Sequence, residues 1–405
     1  MQSTAPLSKA KWLNQNCACT SLEKKPLPEL EEAGALFSQT PVFISTDDFK
    51  NMEAQIQALE AVIGSAAFEQ QVLANAPQIA ASGVGPSSVF MGYDFHLCED
   101  GPKLIEINTN AGGAFLVDAL YRAQDVCCWN GEPAGNEAFA QDVINMFRNE
   151  WRSAKHGEEL KTVAIVDEDP TKQFLHGEFL IVAELLEKHG IKAVIADPAE
   201  FQFTGGKLLH NEVQVDLVYN RSVDFYLEQP NHAALRDAFI ANAMVLTPNP
   251  RHHALYAAKQ NLAILSDPLH LAALGATPGQ IETLSLMPKS NVVNADNAEE
   301  LWSARKKMFF KPLAGHGGKA VYRGDKITKK TWAHILEHDY VAQELAPPET
   351  RNAKSDTETG TTPLKSDIRI FTYQGNMLLA AARLYLGQTT NFRTVGGGFA
   401  PIYVT

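Results

Sequence analysis

The chain has 405 residues, of which 45% are hydrophobic and 20% are charged, so it is long enough to form two or three globular domains. Its formal net charge is −12, whereas a protein that grips nucleic acid phosphates normally has a basic surplus, so nucleic acid binding is excluded. Five cysteines, an odd number, fit a reducing compartment. Since we find no signal sequence and no apolar run of about 20 residues, we expect a soluble cytoplasmic protein without a membrane span.

The N-terminal third is predicted to contain helices and one β-hairpin. Apolar residues between 47 and 80 recur at helical spacing, with Asp47 or Asp48 as the N-cap. Strands at 93–97 and 103–108 flank a Glu-Asp-Gly turn, which predicts a hairpin. A further helix is predicted at 136–152.

The central region, residues 160–250, alternates buried strands with helices. Strands are predicted at 162–167, 192–197 and 215–221, and helices at 177–189 and 231–243. This alternation is typical of a parallel α/β unit.

The last third is predicted to begin with helices at 251–290 and to continue as an antiparallel sheet. His252 and His253 are interpreted as a helix surface, because adjacent side chains on a helix diverge by about 100°. Residues 349–365 are polar and are predicted to form a mobile loop. The predicted strands lie at 306–312, 320–323, 340–345, 367–373 and 377–384.

Three oxygen-bearing side chains of the predicted hairpin form a candidate metal site. Alternation places Glu106 and Asn108 on one face of their strand, and the hairpin brings Asp94 beside them. Two carboxylates and an amide oxygen suit Mg²⁺ bound to nucleotide phosphates. An exposed polar face is the alternative, but apolar neighbours indicate a buried strand, where unpaired carboxylates are costly.

A second candidate set combines a lysine with glycines. Lys311 ends a predicted buried strand, from which it could reach phosphate oxygens. Glycines after it would let backbone N–H groups approach the same oxygens. Taken alone, this motif fits a tight hairpin with a surface lysine equally well. Its loop residues are Gly315, His316, Gly317 and Gly318.

Two further sets lie downstream. Gln343 and Glu344 close a predicted strand whose backbone could bind adenine while the acid binds a sugar hydroxyl, although alone they indicate only a strand. Arg369 and Arg383 lie on neighbouring strands, where paired N–H groups could clamp a phosphate or a carboxylate. Surface salt bridges are the alternative for either arginine.

Together these sets resemble the ATP-grasp superfamily over residues 90–125 and 250–405. In most ATP-grasp enzymes the acidic motif follows the arginine strands, whereas here it precedes Lys311, which indicates a circular permutation. The order is similar to that of eukaryotic-type glutathione synthetases. The segments IEINTNAGG, VYNR and AAKQNL align with that family by eye.

The resemblance implies a fold of the α/β (α+β) class: an ATP-grasp fold, circularly permuted, with an inserted parallel α/β substrate-binding domain. Residues 1–155 would hold the N-terminal helices and the metal-binding hairpin. Residues 156–250 would form the substrate-binding domain. Residues 251–405 would form the nucleotide-binding domain with its glycine-rich lid.

The resemblance also implies roles for single residues, with ATP and Mg²⁺ as cofactors. Arg369 and Arg383 would be catalytic, and Asp94, Glu106 and Asn108 would hold Mg²⁺. ATP would be bound by Lys259, Lys311, Gly315, His316, Gly317, Gly318, Gln343 and Glu344. The substrate would contact Arg221, Asn110, Gly112, Asn391 and Arg393.

The implied function is an ATP- and Mg²⁺-dependent carboxylate–amine ligase that forms an amide through an acyl phosphate. Its substrates would be an amino acid or small peptide. The eukaryotic synthetase has an arginine where this chain has Met91-Gly92-Tyr93, and residues 391–398 resemble bacterial ATP-grasp peptide ligases. A small-molecule kinase and a non-catalytic nucleotide-binding protein are the alternatives. The oligomeric state stays open, with a homodimer as one alternative.

Overall fold

The computed structural model of this chain describes residues 8–17, 36–123, 133–154, 159–314, 320–354, 361–391 and 394–405. Within these ranges, no helix combines the length and the apolar character that crossing a membrane requires.

Helices occur throughout the described ranges. They are α1 Lys9–Asn16, α2 Thr46–Ile63, α3 Ala66–Leu73, α4 Ala114–Ala123, α5 Phe139–Ser153, α6 His176–Lys188, α7 Ala233–Ile240, α8 Pro250–His252, a π-helix His253–Ala257, α9 Asn261–Leu265, α10 Pro268–Ala273, α11 Pro278–Leu284, α12 Ala298–Ala304 and α13 Lys329–Glu337.

The two longest strands lie in the last third of the chain. They are β1 Val42–Ile44, β2 Met91–Cys98, β3 Gly101–Asn108, β4 Thr162–Val166, β5 Lys192–Ala196, β6 Phe201–Thr204, β7 Lys207–His210, β8 Val213–Gln214, β9 Leu217–Asn220, β10 Val245–Thr247, β11 Ser290–Val292, β12 Met308–Pro312, β13 Tyr322–Arg323, β14 Tyr340–Glu344, β15 Thr350–Lys354, β16 Thr361–Tyr373, β17 Asn376–Tyr385, β18 Gly398–Ala400 and β19 Ile402–Val404.

The largest sheet joins the early hairpin to the late strands. Its order is β18-β17-β16-β2-β3, with β15 also paired to β16, and every pair is antiparallel. Asp94 therefore lies opposite Glu106 on one side and opposite Arg369 on the other. The predicted hairpin is confirmed, and its acidic residues share a sheet with the arginines.

The two faces of this sheet have different neighbours. Tyr93 and Ile368 belong to a core that includes apolar residues of α2. Because side chains alternate along a strand, Asp94 and Arg369 point to the other face.

Helix α2 begins after Ser45, whose side chain accepts from the backbone N–H of Asp48, so the prediction of Asp47 or Asp48 as N-cap is wrong.

The parallel α/β unit predicted at 160–250 is confirmed. Its strands have the order β10-β9-β4-β5, and all three pairs are parallel. The chain leaves β4 toward β5 and later returns to β9 on the other side of β4. In such sheets, ligands bind beyond the carboxyl ends of the strands at this change of direction.

A second sheet of four strands is antiparallel and follows the helical stretch, in the order β11-β14-β12-β13. In it, Lys311 of β12 lies opposite Val341 of β14. The predicted helices at 251–290 occur, but as short segments separated by turns.

The prediction of a mobile loop at 349–365 is wrong for part of that segment, because β15 pairs with β16 there. Arg351 in β15 is only 1% exposed. Its guanidinium donates to the backbone carbonyls of Pro41 (2.7 Å), Asn14 (2.7 Å) and Cys17 (3.0 Å). Polar composition suggested a loop because the partners of this arginine lie far away in the sequence.

One apolar core joins residues from all three predicted domains. It includes Phe90, Phe147, Val163, Leu217 and Phe371. The parallel unit therefore shares a core with residues on both sides of it in sequence. The predicted boundaries, the insertion and the circular permutation stay predictions.

Candidate active site

One cavity of about 530 Å³ lies where the largest sheet, the antiparallel four-stranded sheet and the carboxyl ends of the parallel strands meet. Residues predicted for four different tasks line it together: Asp94, Glu106, Asn108, Asn110, Gly112, Arg221, Lys259, Lys311, Gln343, Glu344, Arg369 and Arg383. The early hairpin and the lysine strand thus converge on one space.

Some predicted site residues are not at this cavity or are not described. Asn391 is described and exposed, but it is not among the lining residues, although Thr389 and Thr390 are. Gly315, His316, Gly317, Gly318 and Arg393 lie outside the described residues.

A buried network of two arginines and two aspartates borders the cavity. Asp94, 2% exposed, receives Arg369 through both oxygens, with Nε–Oδ1 at 2.6 Å and Nη2–Oδ2 at 2.7 Å. Arg383 donates from Nη2 to Oδ2 of Asp94 at 2.8 Å and from Nε to Asp367 at 2.6 Å. Two arginines and two aspartates therefore compensate one another, and each guanidinium still has its Nη1, which makes no hydrogen bond to a described residue.

This network decides the protonation of Asp94. Burial alone would raise the pKa of Asp94, but the two arginines outweigh it and hold the pKa at about 2. Asp94 is therefore a carboxylate at any physiological pH.

The geometry favours different metal roles for the three predicted ligands. Both oxygens of Asp94 accept from arginines, so much of its acceptor capacity is used within the protein. Asn108 donates from Nδ2 to Asp94 at 3.1 Å, which turns its amide oxygen away from Asp94. Glu106 and that amide oxygen are hard donors on one strand face, and together with phosphate oxygens they fit the preference of Mg²⁺.

No group of three or more His, Cys, Asp or Glu side chains in the described ranges is arranged to hold a metal ion. The assignment of Asp94, Glu106 and Asn108 as metal ligands stays a prediction.

Lys311 is positioned by an irregularity that the sequence pattern did not reveal. The pairing of β2 with β3 shifts after Asp94, because Phe95 pairs with Leu104 and leaves Ile105 as a bulge. Lys311 donates to the carbonyl of Ile105 at 3.1 Å and to Oε1 of Gln343 at 2.8 Å. Burial lowers the pKa of Lys311, while the nearby carboxylate of Glu106 opposes that shift.

The side of the cavity next to the parallel sheet is built around Arg221. Its Nη1 donates to the carbonyls of Asn110 (3.3 Å) and Ala111 (3.4 Å) and to the hydroxyl of Tyr219 (3.1 Å). A Cβ on Gly112 would lie 2.4 Å from Nη2 of Arg221, so only glycine allows this approach. Arg221 thus holds the loop after β3 in place. Its predicted contact with a substrate stays a prediction.

Sequence reasoning missed Glu178 of α6. This residue is 1% exposed and accepts from the backbone N–H groups of Gly113 (2.8 Å) and Phe115 (3.2 Å). It also lies 3.5 Å from Nη2 of Arg221. Its place in the first turn of a helix, where acidic residues are common, gave no local signal of this role.

The interpretation of His252 and His253 as a helix surface is wrong. His252 is 4% exposed and caps its own turn with Asn249, while His253 lines the cavity. The side chains of His252 and His253 do diverge, as expected. The segment is buried because its contacts, such as that of His252 with the carbonyl of Pro86, lie far away in the sequence.

No protein-family model and no curated protein matches this chain. Solved structures do resemble it. A glutathione synthetase-like effector from Globodera pallida, in its apo form, has a TM-score of 0.63 at 14% identity, covering 95% of this chain and 99% of its own. A putative gamma-glutamylcysteine synthetase from Methylobacillus flagellatus KT has a TM-score of 0.47 at 12% identity, covering 85% and 88%.

The ATP-grasp ligase PsnB, complexed with minimal precursor, Mg and ADP, has a TM-score of 0.29 at 14% identity and covers 60% of this chain and 88% of its own. The fold assignment rests on the Globodera pallida structure, which matches over nearly the full length of both chains. The predicted resemblance is thereby confirmed at the level of the fold: this chain has the mixed α/β fold of a glutathione synthetase-like protein.

Proposed function

We propose that this chain is an ATP- and Mg²⁺-dependent ligase that joins a carboxylate to an amine through an acyl phosphate. The observation that carries the proposal is the convergence of Glu106 and Asn108 with Lys311 around one cavity. A fold shared with a glutathione synthetase-like protein supports it.

The chemistry needs charge neutralisation and positioning more than a nucleophile of the protein. Oxygen of the substrate carboxylate would attack the γ-phosphorus of ATP, and ADP would leave with the electron pair of the broken P–O bond. The amine would then attack the acyl carbon, phosphate would leave, and the nitrogen would lose a proton.

The described residues would each serve one part of this sequence. Lys311 would hold phosphate oxygens. Burial lowers its pKa, and the negative charge of Glu106 acts in the opposite direction. The Nη1 groups of Arg369 and Arg383 would donate to the phosphoryl group in transfer. Glu106 and Asn108 would hold Mg²⁺, which neutralises phosphate charge when bound. The backbone of β14 at Gln343 would bind adenine, and Glu344 would bind a sugar hydroxyl.

The test is ADP release with Mg²⁺, screened against pairs of amino acids and short peptides, with an amide product sought by mass spectrometry. We expect an amide in at least one pair. ADP release with a phosphorylated product and no amide would favour a small-molecule kinase. ATP binding without turnover across the panel would favour a nucleotide-binding protein.

Glu106→Gln is the variant that tests the metal role. We expect ADP release to fall by about two orders of magnitude or more, since one charged ligand of Mg²⁺ is lost. Glu282→Gln, at an exposed position of α11, is the matched control and should keep the wild-type rate. Equal rates in Glu106→Gln and the control would refute the metal assignment.

A further inference from the structure

Beside Arg221, part of the cavity wall next to the parallel sheet is apolar and aromatic. Leu175, Val223 and Phe225 line it together with His253. They belong to loops at the carboxyl ends of the parallel strands and to the π-helix, whereas Lys311, Gln343 and Glu344 belong to the antiparallel sheet. The cavity therefore has a charged side and an apolar side.

Phe225 and His253 stack face to face in this wall, and both line the cavity. Their ring centroids are 3.9 Å apart and their planes are within 6° of parallel. Tyr226 meets the same imidazole edge-on, with centroids 5.3 Å apart. Stacking covers one face of each ring, and the ring surfaces that line the cavity offer contact area to an apolar group.

His253 contributes to this stack as a neutral ring. Burial lowers its pKa to about 3, and the charge of Lys259 acts in the same direction. Its Nδ1 is buried and makes no hydrogen bond to a described residue. A π-helix turn carries this side chain, and such turns occur frequently at functional sites.

The polar groups nearest this wall are largely engaged with the protein itself. The Nη1 group of Arg221 donates to two backbone carbonyls and a tyrosine hydroxyl. The amide nitrogen of Asn110 donates to the carbonyls of Arg221 and Ser222. Val223, by contrast, is 39% exposed without a ligand. Burial of such apolar surface would stabilise a complex.

We infer that the cavity accepts an amino acid or short peptide with an aromatic or branched aliphatic side chain, which packs on Phe225 and His253 beside Val223 and Leu175. The inference rests on the proposed function, since it names the substrate class of the same site. Small or charged side chains would leave this wall exposed to water.

Titration calorimetry of dipeptides into the protein, with a non-hydrolysable ATP analogue and Mg²⁺ present, tests the inference. We expect dipeptides containing Phe or Leu to bind about tenfold or more tightly than those containing Gly or Asp. Phe225→Ala should remove that difference, and Val223→Lys should reverse it in favour of Asp dipeptides, because an ammonium group attracts a carboxylate. Leu180→Ala, at a 48% exposed leucine of α6, is the matched control and should change nothing.

The outcomes separate this inference from the proposed function. Apolar dipeptides that bind without ADP release or amide formation would support the inference and contradict the ligase. Turnover with Gly or Asp dipeptides that is unchanged in Phe225→Ala would support the ligase and overturn the inference. Failure of every apolar dipeptide to bind, or weaker binding of the ATP analogue alone to Phe225→Ala, would also overturn it.

Discussion

At the scale of a single residue, the buried charge of Asp94 is compensated by two arginines. Asp94 is 2% exposed and lies between two arginines that are themselves 9% and 7% exposed. Removing one partner of a buried pair leaves the other charges without compensation, which costs more than the pair contributes. Only Arg383 has a second carboxylate, Asp367.

We predict that Asp94→Asn lowers the free energy of unfolding by about 3 to 5 kcal/mol, because Arg369 loses its carboxylate. Urea unfolding followed by circular dichroism measures this. Asp237→Asn is the control, since its carboxylate is 59% exposed and only 3.7 Å from Arg236. That change should stay within about 1 kcal/mol. Equal effects of the two variants would contradict the network.

The same network predicts a pH dependence. The pKa of Asp94 in the folded protein is about 2, below the usual aspartate value of 3.8. A group with a depressed pKa stabilises the fold above its unfolded pKa and loses that effect as pH falls toward the folded value. The difference between wild type and Asp94→Asn should therefore be constant above pH 5 and shrink between about pH 4 and 2.

The sequence could predict residue types at the site but not their pairings. Alternation correctly placed Glu106 and Asn108 on one face, and the hairpin correctly placed Asp94 beside Glu106. It could not show that Asp94 binds two arginines that lie 275 and 289 positions away. Such pairings depend on which strands become neighbours, and that order is set by the whole sheet.

At the scale of elements, the turn after β3 is held by close backbone contacts. Gly113 has φ +105°, and a Cβ there would lie 2.2 Å from Cζ of Phe399. Phe399 is 1% exposed and packed in the core, so it has little room to move. The backbone N–H of Gly113 also donates to Glu178 at 2.8 Å.

We predict that Gly113→Ala destabilises the protein by at least about 1 to 3 kcal/mol, the cost of a strained backbone position, with the clash added to it. Gly279→Ala in α11 is the control, since a Cβ there meets no atom within 4 Å. It should be neutral or stabilising by up to about 1 kcal/mol. Thermal unfolding measures both, and a Gly113→Ala variant as stable as Gly279→Ala would refute the contact.

Elements with a strong local pattern were predicted, and those that depend on distant partners were not. The helix predicted at 177–189 is His176–Lys188, and the strand at 340–345 is Tyr340–Glu344. The bulge at Ile105 and strand β15 escaped prediction. The first depends on the register between two strands, and the second depends on carbonyls more than 300 residues from Arg351.

At the scale of the whole molecule, Lys311 connects two sheets across the cavity. It belongs to the antiparallel four-stranded sheet and donates to Ile105 of the largest sheet at 3.1 Å. Burial lowers its pKa, which means that this buried position is costly for a cation. Such a cost is expected of residues kept for binding rather than for stability.

We therefore predict opposite effects of Lys311→Met on the protein alone and on its complex. The midpoint of thermal unfolding without ligand should stay the same or rise, since a buried charge is replaced by an apolar side chain of similar length. In wild type, Mg²⁺ and ATP at 100 times the dissociation constant should add about 2.7 kcal/mol of stability, and Lys311→Met should lose that gain. Lys330→Met, at an exposed position of α13, should keep it. If Lys311→Met were less stable alone and still stabilised by ATP, this lysine would serve only to hold the two sheets together.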